Sequence, residues 1–303
     1  MHSNVNPVQR AAPAITARTS TPHGTLLSCG RFQLCLDRPL VMGIVNATPD
    51  SFSGSGAFTH RATIDHAMDL LAQGADMLDV GGESTRPGAQ PVDAEEEWRR
   101  IGPVLTALRD SGAPLSVDTF KPDIMRRALD AGVDMINDIY GLRLPGALDA
   151  VAASSCGVCV MHMQGEPRTM QQQPQYDDVA VEVARFLSER VHALHAAGVN
   201  DSRIVLDPGF GFGKTVRHNY ALLNQLDHVT RLGLPVLVGV SRKSMIGAAV
   251  NRPAAERVSG SLAAALAAVA RGARLLRVHD VAATRDALAV WHAIEHPFAL
   301  TNP

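Results

Sequence analysis

Eight stretches of this 303-residue sequence end on side chains able to hold or polarise a small polar ligand. The endings are Asn46, the run Gly-Gly-Glu-Ser-Thr-Arg at 81–86, Asp118, Asn137-Asp138, His162, Asp207, Ser241-Arg242-Lys243-Ser244, and Arg277 with His279. Asp118, Asn137 and Asp207 lie within or near the ends of apolar runs. Two carboxylates and an amide in one mouth can read the donor-rich edge of a heterocycle. A carboxylate accepts two parallel hydrogen bonds from an amidine-like N–H and NH2 pair. Lys243, Arg277 and His279 supply positive charge, and with Asn46 and the N-termini of following helices they suit a phosphate group. Taken singly, each reads as a satisfied polar residue at a strand end, and Arg277 with His279 as a salt bridge. Contributions from all eight ends favour a shared site.

Motifs that would point elsewhere fail. In Gly-Phe-Gly-Phe-Gly-Lys-Thr at 209–215 the first glycine required by a phosphate-binding GxxxxGK[ST] loop falls on Pro208. The segment reads instead as a βα loop lending Phe212 to a ligand. The twelve histidines form no HExxH, which argues against a catalytic zinc. Cys156 and Cys159 form a CxxC, but Cys159 lies inside the apolar run 158–163 and reads as core. Four cysteines in so long a chain do not make a disulfide scaffold.

The eight endings belong to eight short apolar runs, at 41–46, 77–81, 115–119, 135–140, 158–163, 204–209, 235–240 and 275–280. Continuous Val/Ile/Leu runs are what strands covered on both faces require. Between them lie amphipathic stretches such as 62–73, 94–111, 122–131, 178–197 and 256–271. Several stop at glycine, as at Gly74, Gly112, Gly132 and Gly198, which suits a helix C-terminus. Eight strand–helix alternations predict an α/β (β/α)8 TIM barrel, whose strand C-termini share the face on which active sites lie. An open doubly wound sheet is the alternative. Residues 25–36 predict a short N-terminal hairpin turning near Gly30-Arg31.

Composition agrees. A TIM barrel takes ~250 residues, so one domain at 24–298 accounts for the chain, with a disordered tail at 1–23 and a short tail at 299–303. The tail at 1–23 has no acidic residue, so an organelle-targeting peptide competes with disorder. With 46% hydrophobic but only 4% aromatic residues, the core is built from Ala, Val, Leu and Ile. A net charge of -2 excludes a basic nucleic-acid footprint and a basic membrane-surface helix. No apolar run reaches the ~18 residues of a membrane span. No secretory apolar segment appears near the start.

Several segments also carry a family likeness. Val-Met-Gly-Ile-Val-Asn-Ala-Thr-Pro-Asp-Ser-Phe-Ser at 41–53 and Leu-Asp-Val-Gly-Gly-Glu-Ser-Thr-Arg-Pro-Gly at 78–88 resemble the two signatures of dihydropteroate synthases. Segments 116–119, 136–138, 161–165, 207–214, 239–244 and 277–279 match the remaining motifs in order, so the likeness spans about 25–296.

This resemblance implies a transferase of folate biosynthesis. It would condense 6-hydroxymethyl-7,8-dihydropterin diphosphate with 4-aminobenzoate to give 7,8-dihydropteroate and diphosphate. Pterin would bind Asp118, Asn137, Met161, Asp207, Phe212, Gly239 and Lys243. Diphosphate would bind Asn46, Thr85, Arg86, Arg277 and His279, with Mg²⁺ at Asn46. Aminobenzoate would bind Phe52, Thr85, Pro87, Phe212, Lys243 and Ser244, partly on two mobile loops. Asn46, Lys243, Arg277 and His279 would carry the catalysis. A cytoplasmic homodimer is implied as well. One departure stands out: where the family usually has Asp-Gly-Gly after 50–53, this chain has Gly54-Ser55-Gly56, and Ala47 replaces the usual Val. The rival readings are a non-catalytic or weakly active pterin-binding paralogue, a pterin-dependent methyltransferase, and an unrelated phosphate-binding barrel.

Overall fold

Side chains along a strand alternate faces, so a strand buried on both sides must satisfy two different surroundings. The computed structural model describes residues 25–48, 60–84 and 89–298. The expected tails, and the loop positions Phe52, Thr85, Arg86 and Pro87, lie outside the described residues. A hairpin of β1 (Leu26–Cys29) and β2 (Phe32–Cys35) precedes the strands β3 (Leu40–Asn46), β4 (Met77–Gly81), β5 (Leu115–Asp118), β6 (Met135–Asp138), β7 (Gly157–Met161), β8 (Ile204–Asp207), β9 (Leu237–Val238) and β10 (Leu275–Val278).

The eight strands β3 to β10 pair in parallel in the order β8-β7-β6-β5-β4-β3-β10-β9. A parallel bridge between Leu206 and Val236 joins the two ends of that order, and the Leu206 N–H donates to the Pro235 carbonyl at 2.9 Å. The sheet is a closed (β/α)8 barrel, which removes both edges. The strands end one to two residues before most apolar runs do. The last residues of those runs leave the ladder and enter the βα loops, where their polar groups are needed.

Ten helices complete the fold: α1 (His60–Ala72), α2 (Ala94–Leu108), α3 (Pro122–Asp130), α4 (Ala147–Ala152), α5 (Val179–Ala196), α6 (Val216–Asn224), α7 (Asp227–Thr230), α8 (Ser244–Val250), α9 (Val258–Ala270) and α10 (Val281–Glu295), counted among the described residues. Their starts follow local chemistry. Asp93 accepts the Glu96 N–H at 2.8 Å to cap α2, and Asp178 accepts the Ala180 N–H at 2.9 Å to cap α5. Thr215 and His218 form a reciprocal capping pair on α6. The stretch expected as one helix over 256–271 begins only at Val258, because residues 254–256 form a separate tight turn. Among the described residues no helix is long and apolar enough to cross a membrane.

Strand parity divides the core. Val41, Val45, Leu78, Val80, Val117, Ile136, Val158, Val160, Leu206 and Val238 face outward and pack under the helices. Leu40, Met42, Met77, Met135, Cys159, Val205, Leu237 and Leu275 face inward and cluster with Leu27, Cys29 and Leu36 of the hairpin segment. The hairpin thus plugs one end of the barrel. Asp134, fully buried just before β6, accepts Arg31 Nε and Nη2, both at 2.9 Å, and the Leu115 N–H at 3.0 Å, which clamps the plug. Cys156 and Cys159 are buried free thiols, as core packing requires, and burial pushes both thiols up.

Candidate active site

One step above the apolar inner layer, the same parity turns the next residues of each strand into the barrel mouth. From β3 comes Asn46, from β4 Asp79, from β5 Asp118, from β6 Asn137, from β7 Met161, from β8 Asp207 and from β10 Arg277; Gly239 follows β9 and His279 follows β10. Registers align Asp118 with Asn137 and Met161 with Asp207. Eight separate chain segments therefore contribute to one polar layer. Side-chain interactions link Asp118, Asn137 and Arg277 in one group and Asp207, Lys243 and Phe212 in another; Asn46, Met161, Gly239 and His279 stand at the ends of their strands, and Ser244 is exposed at the start of α8 beside Lys243.

The layer is knit around Arg277. Its Nε donates to Asp79 Oδ2 at 2.6 Å and its Nη2 to Asp118 Oδ2 at 2.7 Å. The Asn137 amide donates to the same Asp79 oxygen at 3.0 Å, which leaves the Asn137 carbonyl oxygen to accept from a ligand. Asp79 Oδ1 is buried and has no hydrogen-bond partner among the described residues. Burial works against the Arg277 cation, yet Asp79 and Asp118 hold it above the ordinary guanidinium range. Burial pushes the Asp118 carboxyl up, with Arg277 pulling it back. The salt-bridge reading of Arg277 is therefore realised with partners on β4 and β5. A guanidinium carries five N–H donors, so these two bonds leave others for an anion.

A second group centres on Asp207 and Lys243. Asp207 is 6% exposed, and its Oδ1 accepts the Gly209 N–H at 2.7 Å. Burial raises this carboxyl and Lys243 opposes the rise. Lys243 donates to the Phe210 carbonyl, and its ammonium lies 4.7 Å from the centre of the Phe212 ring. Burial pushes Lys243 down to about 8, against the pull of Asp207. Arg242, in a left-handed conformation, turns away to pair with Asp280, and Arg257 donates to the Arg242 and Lys243 carbonyls at 3.0 and 3.3 Å. The loop after β9 is thereby held from behind while Lys243 enters the mouth.

Apolar walls flank the polar floor. Met161 is buried with Ile139, Met163 and Met170, and Phe120, Tyr140 and Phe212 pack against them. Ser241 Oγ accepts the His279 N–H at 3.2 Å and lies 3.1 Å from His279 Nδ1.

Sequence reasoning passed over several residues. Asp79 interrupts the run Met-Leu-Asp-Val-Gly at an inward position, and that parity was the available signal. Lys121 bridges Glu83 and the buried Glu97 beside the second loop. Lys214, which in a phosphate-binding loop would face a ligand, is instead buried against protein carbonyls. No periodic signal marks either lysine. Among the described residues no group of three or more His, Cys, Asp or Glu side chains can hold a metal ion.

Comparison with known proteins agrees with this geometry. Residues 42–279 match the family described as pterin binding enzyme. A dihydropteroate synthase of Neisseria meningitidis serogroup B is 53% identical over 273 residues, covering 88% of this chain and 96% of that protein. A solved Burkholderia cenocepacia dihydropteroate synthase in complex with 7,8-dihydropteroate superposes with a TM-score of 0.84 at 52% identity, over 90% of this chain and 98% of that one. The Xanthomonas albilineans dihydropteroate synthase with 4-aminobenzoic acid gives a TM-score of 0.86 at 53% identity, over 90% and 99%.

Proposed function

The chain belongs to the pterin binding enzyme family, and from that membership and its site we infer that it condenses 6-hydroxymethyl-7,8-dihydropterin diphosphate with 4-aminobenzoate. It is a transferase of folate biosynthesis that forms 7,8-dihydropteroate and diphosphate. The observation that carries this reading is the polar layer of the barrel mouth. There, acceptors suited to a pterin edge (Asp118, Asn137, Asp207) adjoin donors suited to a diphosphate (Arg277, His279). A pterin-dependent methyltransferase has no use for the second set.

Pterin lies between Asp118, Asn137 and Asp207, against Met161 and Phe212, with Lys243 and Gly239 closing the pocket. The Asn137 carbonyl and the Asp207 carboxylate accept from its amidine-like edge. Diphosphate lies toward Asn46, Arg277 and His279, with Thr85 and Arg86 contributing from the second loop. Aminobenzoate lies nearer solvent, between Phe212, Lys243 and Ser244, with Phe52, Thr85 and Pro87. Asn46, Lys243, Arg277 and His279 are the proposed catalytic residues.

A magnesium ion fits this donor set in one way. Asn46 offers a neutral carboxamide oxygen and no acidic cluster surrounds it among the described residues. Mg²⁺ readily keeps several waters and binds through substrate phosphates, so Asn46 would hold an ion that arrives with the diphosphate. When bound, it would neutralise charge on the leaving group.

The aromatic amine is already a competent nucleophile at neutral pH. It forms a C–N bond at the exocyclic methylene of the pterin, the C–O bond to diphosphate breaks with its electron pair, and the amine loses a proton to solvent. Arg277 and His279 donate toward the departing oxygens, where charge develops. Exclusion of water from the mouth would protect the electrophilic carbon from capture. The protein acts in the cytoplasm as a homodimer. The exposed Val290 and Ile294 on α10, beside the alanine-rich α9, support a partner there. Diphosphate release measured with and without 4-aminobenzoate tests the reaction. Release dependent on the amine is expected, and none in either case would establish the non-catalytic paralogue.

A further inference from the structure

We infer that Lys214 is a positioning residue of the pterin pocket: a buried ammonium, supported by neutral His162, that ties down the turn 209–213. The turn so held presents the Gly209 N–H to Asp207 and the Phe212 ring to Lys243. The inference rests on the pocket assigned under Proposed function.

Lys214 is 2% exposed. Its Nζ donates to the Gly209 carbonyl at 2.9 Å and the Phe212 carbonyl at 3.0 Å, and lies 2.9 Å from His162 Nδ1. The His162 carbonyl is a more distant neighbour at 3.4 Å. An ammonium has three N–H donors and no lone pair. Every one of its partners must therefore accept, so His162 Nδ1 carries a lone pair and the ring proton sits on Nε2. A neutral amine would need only two of its bonds as donor and could accept from an Nδ1–H. The two states demand opposite His162 tautomers.

Burial, reinforced by the Lys214 charge, pushes His162 down to about 2, so the ring stays neutral over any working pH. Its position is fixed by an edge contact to Phe186, with ring centres 5.0 Å apart. Burial also pulls Lys214 well below the ordinary lysine range, and Asp207 opposes that pull. The opposition is mutual: Lys214 is among the charges that favour ionised Asp207.

The turn needs such an anchor because it presses against its neighbour. Gly209 and Gly213 adopt φ of +69° and +59°, and a Cβ there would stand 1.9 Å from the His162 carbonyl oxygen and 2.5 Å from that of Gln164. The chain closes with Phe212 N–H donating to the Gly209 carbonyl at 3.1 Å. Lys214 ties the carbonyls of both residues of that closure to His162, which follows β7. The groups it aligns are Gly209 N–H, bonded to Asp207, and Phe212, stacked near Lys243.

The full chain, labelled with 15N-histidine, reads the tautomer directly. His162 is expected to be neutral with its proton on Nε2, and a proton on Nδ1 overturns the proposal. In Lys214→Met, affinity for 6-hydroxymethylpterin should fall about tenfold to a hundredfold, KM for the pterin diphosphate should rise more than kcat falls, and the Asp207 carboxyl should titrate higher. His162→Asn, which keeps an acceptor at the Nδ1 position, should bind the probe within about threefold of the parent, whereas His162→Leu should match Lys214→Met. Should Lys214→Met not fold, the tautomer and the His162 pair still decide. A folded Lys214→Met that binds the probe like the parent, while Asp207→Asn does not, overturns the role of Lys214 and leaves the pocket standing. Unchanged binding in both removes the pocket and this proposal together.

Discussion

Replacing Arg277 with Met should destabilise the protein in a pH-dependent way. Arg277 is shared by two carboxylates, Asp79 with no exposed side chain and Asp118 at 14% side-chain exposure. Methionine fills much of the same space, so the cavity cost is small and the loss is electrostatic. Removing one partner from a buried ion pair costs about 3–5 kcal/mol when the remaining charge stays ionised. The variant has an escape, because Asp118 can take up a proton. Protonating a carboxyl whose ordinary value is 3.8 costs about 1.36 kcal/mol for each pH unit above that value. That sets the escape at about 4 kcal/mol near pH 7. The parent meets this cost as well, because burial already raises Asp118 to about 7. A carboxyl raised in the folded state contributes stability that is present at low pH and lost as pH climbs from the unfolded value through the folded one. Loss of Arg277 raises Asp118 further, so parent and variant run parallel below about pH 7 and the deficit grows above it. We expect Arg277→Met to lose about 3 kcal/mol near pH 7 and up to about 1.4 kcal/mol more for each pH unit above that, in urea unfolding followed by circular dichroism. Adding Asp118→Asn should remove the added loss above about pH 7. A loss that stays constant as pH rises above about 7, or an added loss that persists in the double variant, would refute the shared-cation account.

Five further outcomes are expected. His279→Ala should weaken a diphosphate-bearing pterin at least about tenfold more than the pterin alcohol, as one charge-assisted bond allows; equal losses in calorimetry would assign His279 a structural role. Arg277→Met, by contrast, should weaken both ligands, because Arg277 also holds Asp118. Asp207→Asn presents an NH2 where an acceptor is required and should cost roughly 2–4 kcal/mol in binding a pterin analogue, and unchanged affinity would take Asp207 out of the pocket. Lys243, depressed by burial to about 8, loses its charge as pH rises through that value; pterin binding should decline above it, and Lys243→Met should bind weakly with no such limb. Finally, 4-aminobenzoate should bind the free protein weakly and tighten once Mg²⁺-diphosphate is present, because a small ligand has few atoms from which to draw binding energy. Linkage requires aminobenzoate to tighten diphosphate by the same factor, and Gly54 in place of an acid should weaken that coupling; equal affinity in both titrations would show a preformed pocket.

Much of the barrel was legible because its signals are local and repeated. Each of the eight apolar runs forms its strand, and helix starts such as Ala94, Pro122 and Val179 fall within a residue of the amphipathic stretches. The ends were less legible. Runs such as 135–140 and 204–209 stop pairing at Asp138 and Asp207, because apolar character continues past the last ladder bond. The candidates Asn46, Asp118, Asn137, Asp207, Lys243, Arg277 and His279 were read from their place at strand ends, yet Asp79 was passed over inside a run that otherwise looks like pure core.

By itself, then, the sequence determined the alternation of elements, the residue types at each strand end and the family to which the chain belongs. Those follow from periods of two and 3.6 residues and from ordered motifs, all of which can be read along the chain. Tertiary structure alone decided who pairs with whom. Arg277 meets Asp79 across 198 positions and Asp118 across 159 because barrel closure brings β10 beside β3 and turns their inward side chains into one layer. It also decided that Lys214 turns inward to carbonyls, while Lys243, from another loop, enters the mouth. Charge sharing and burial are properties of that layer, set by distances between segments remote in the chain, and no local pattern encodes them.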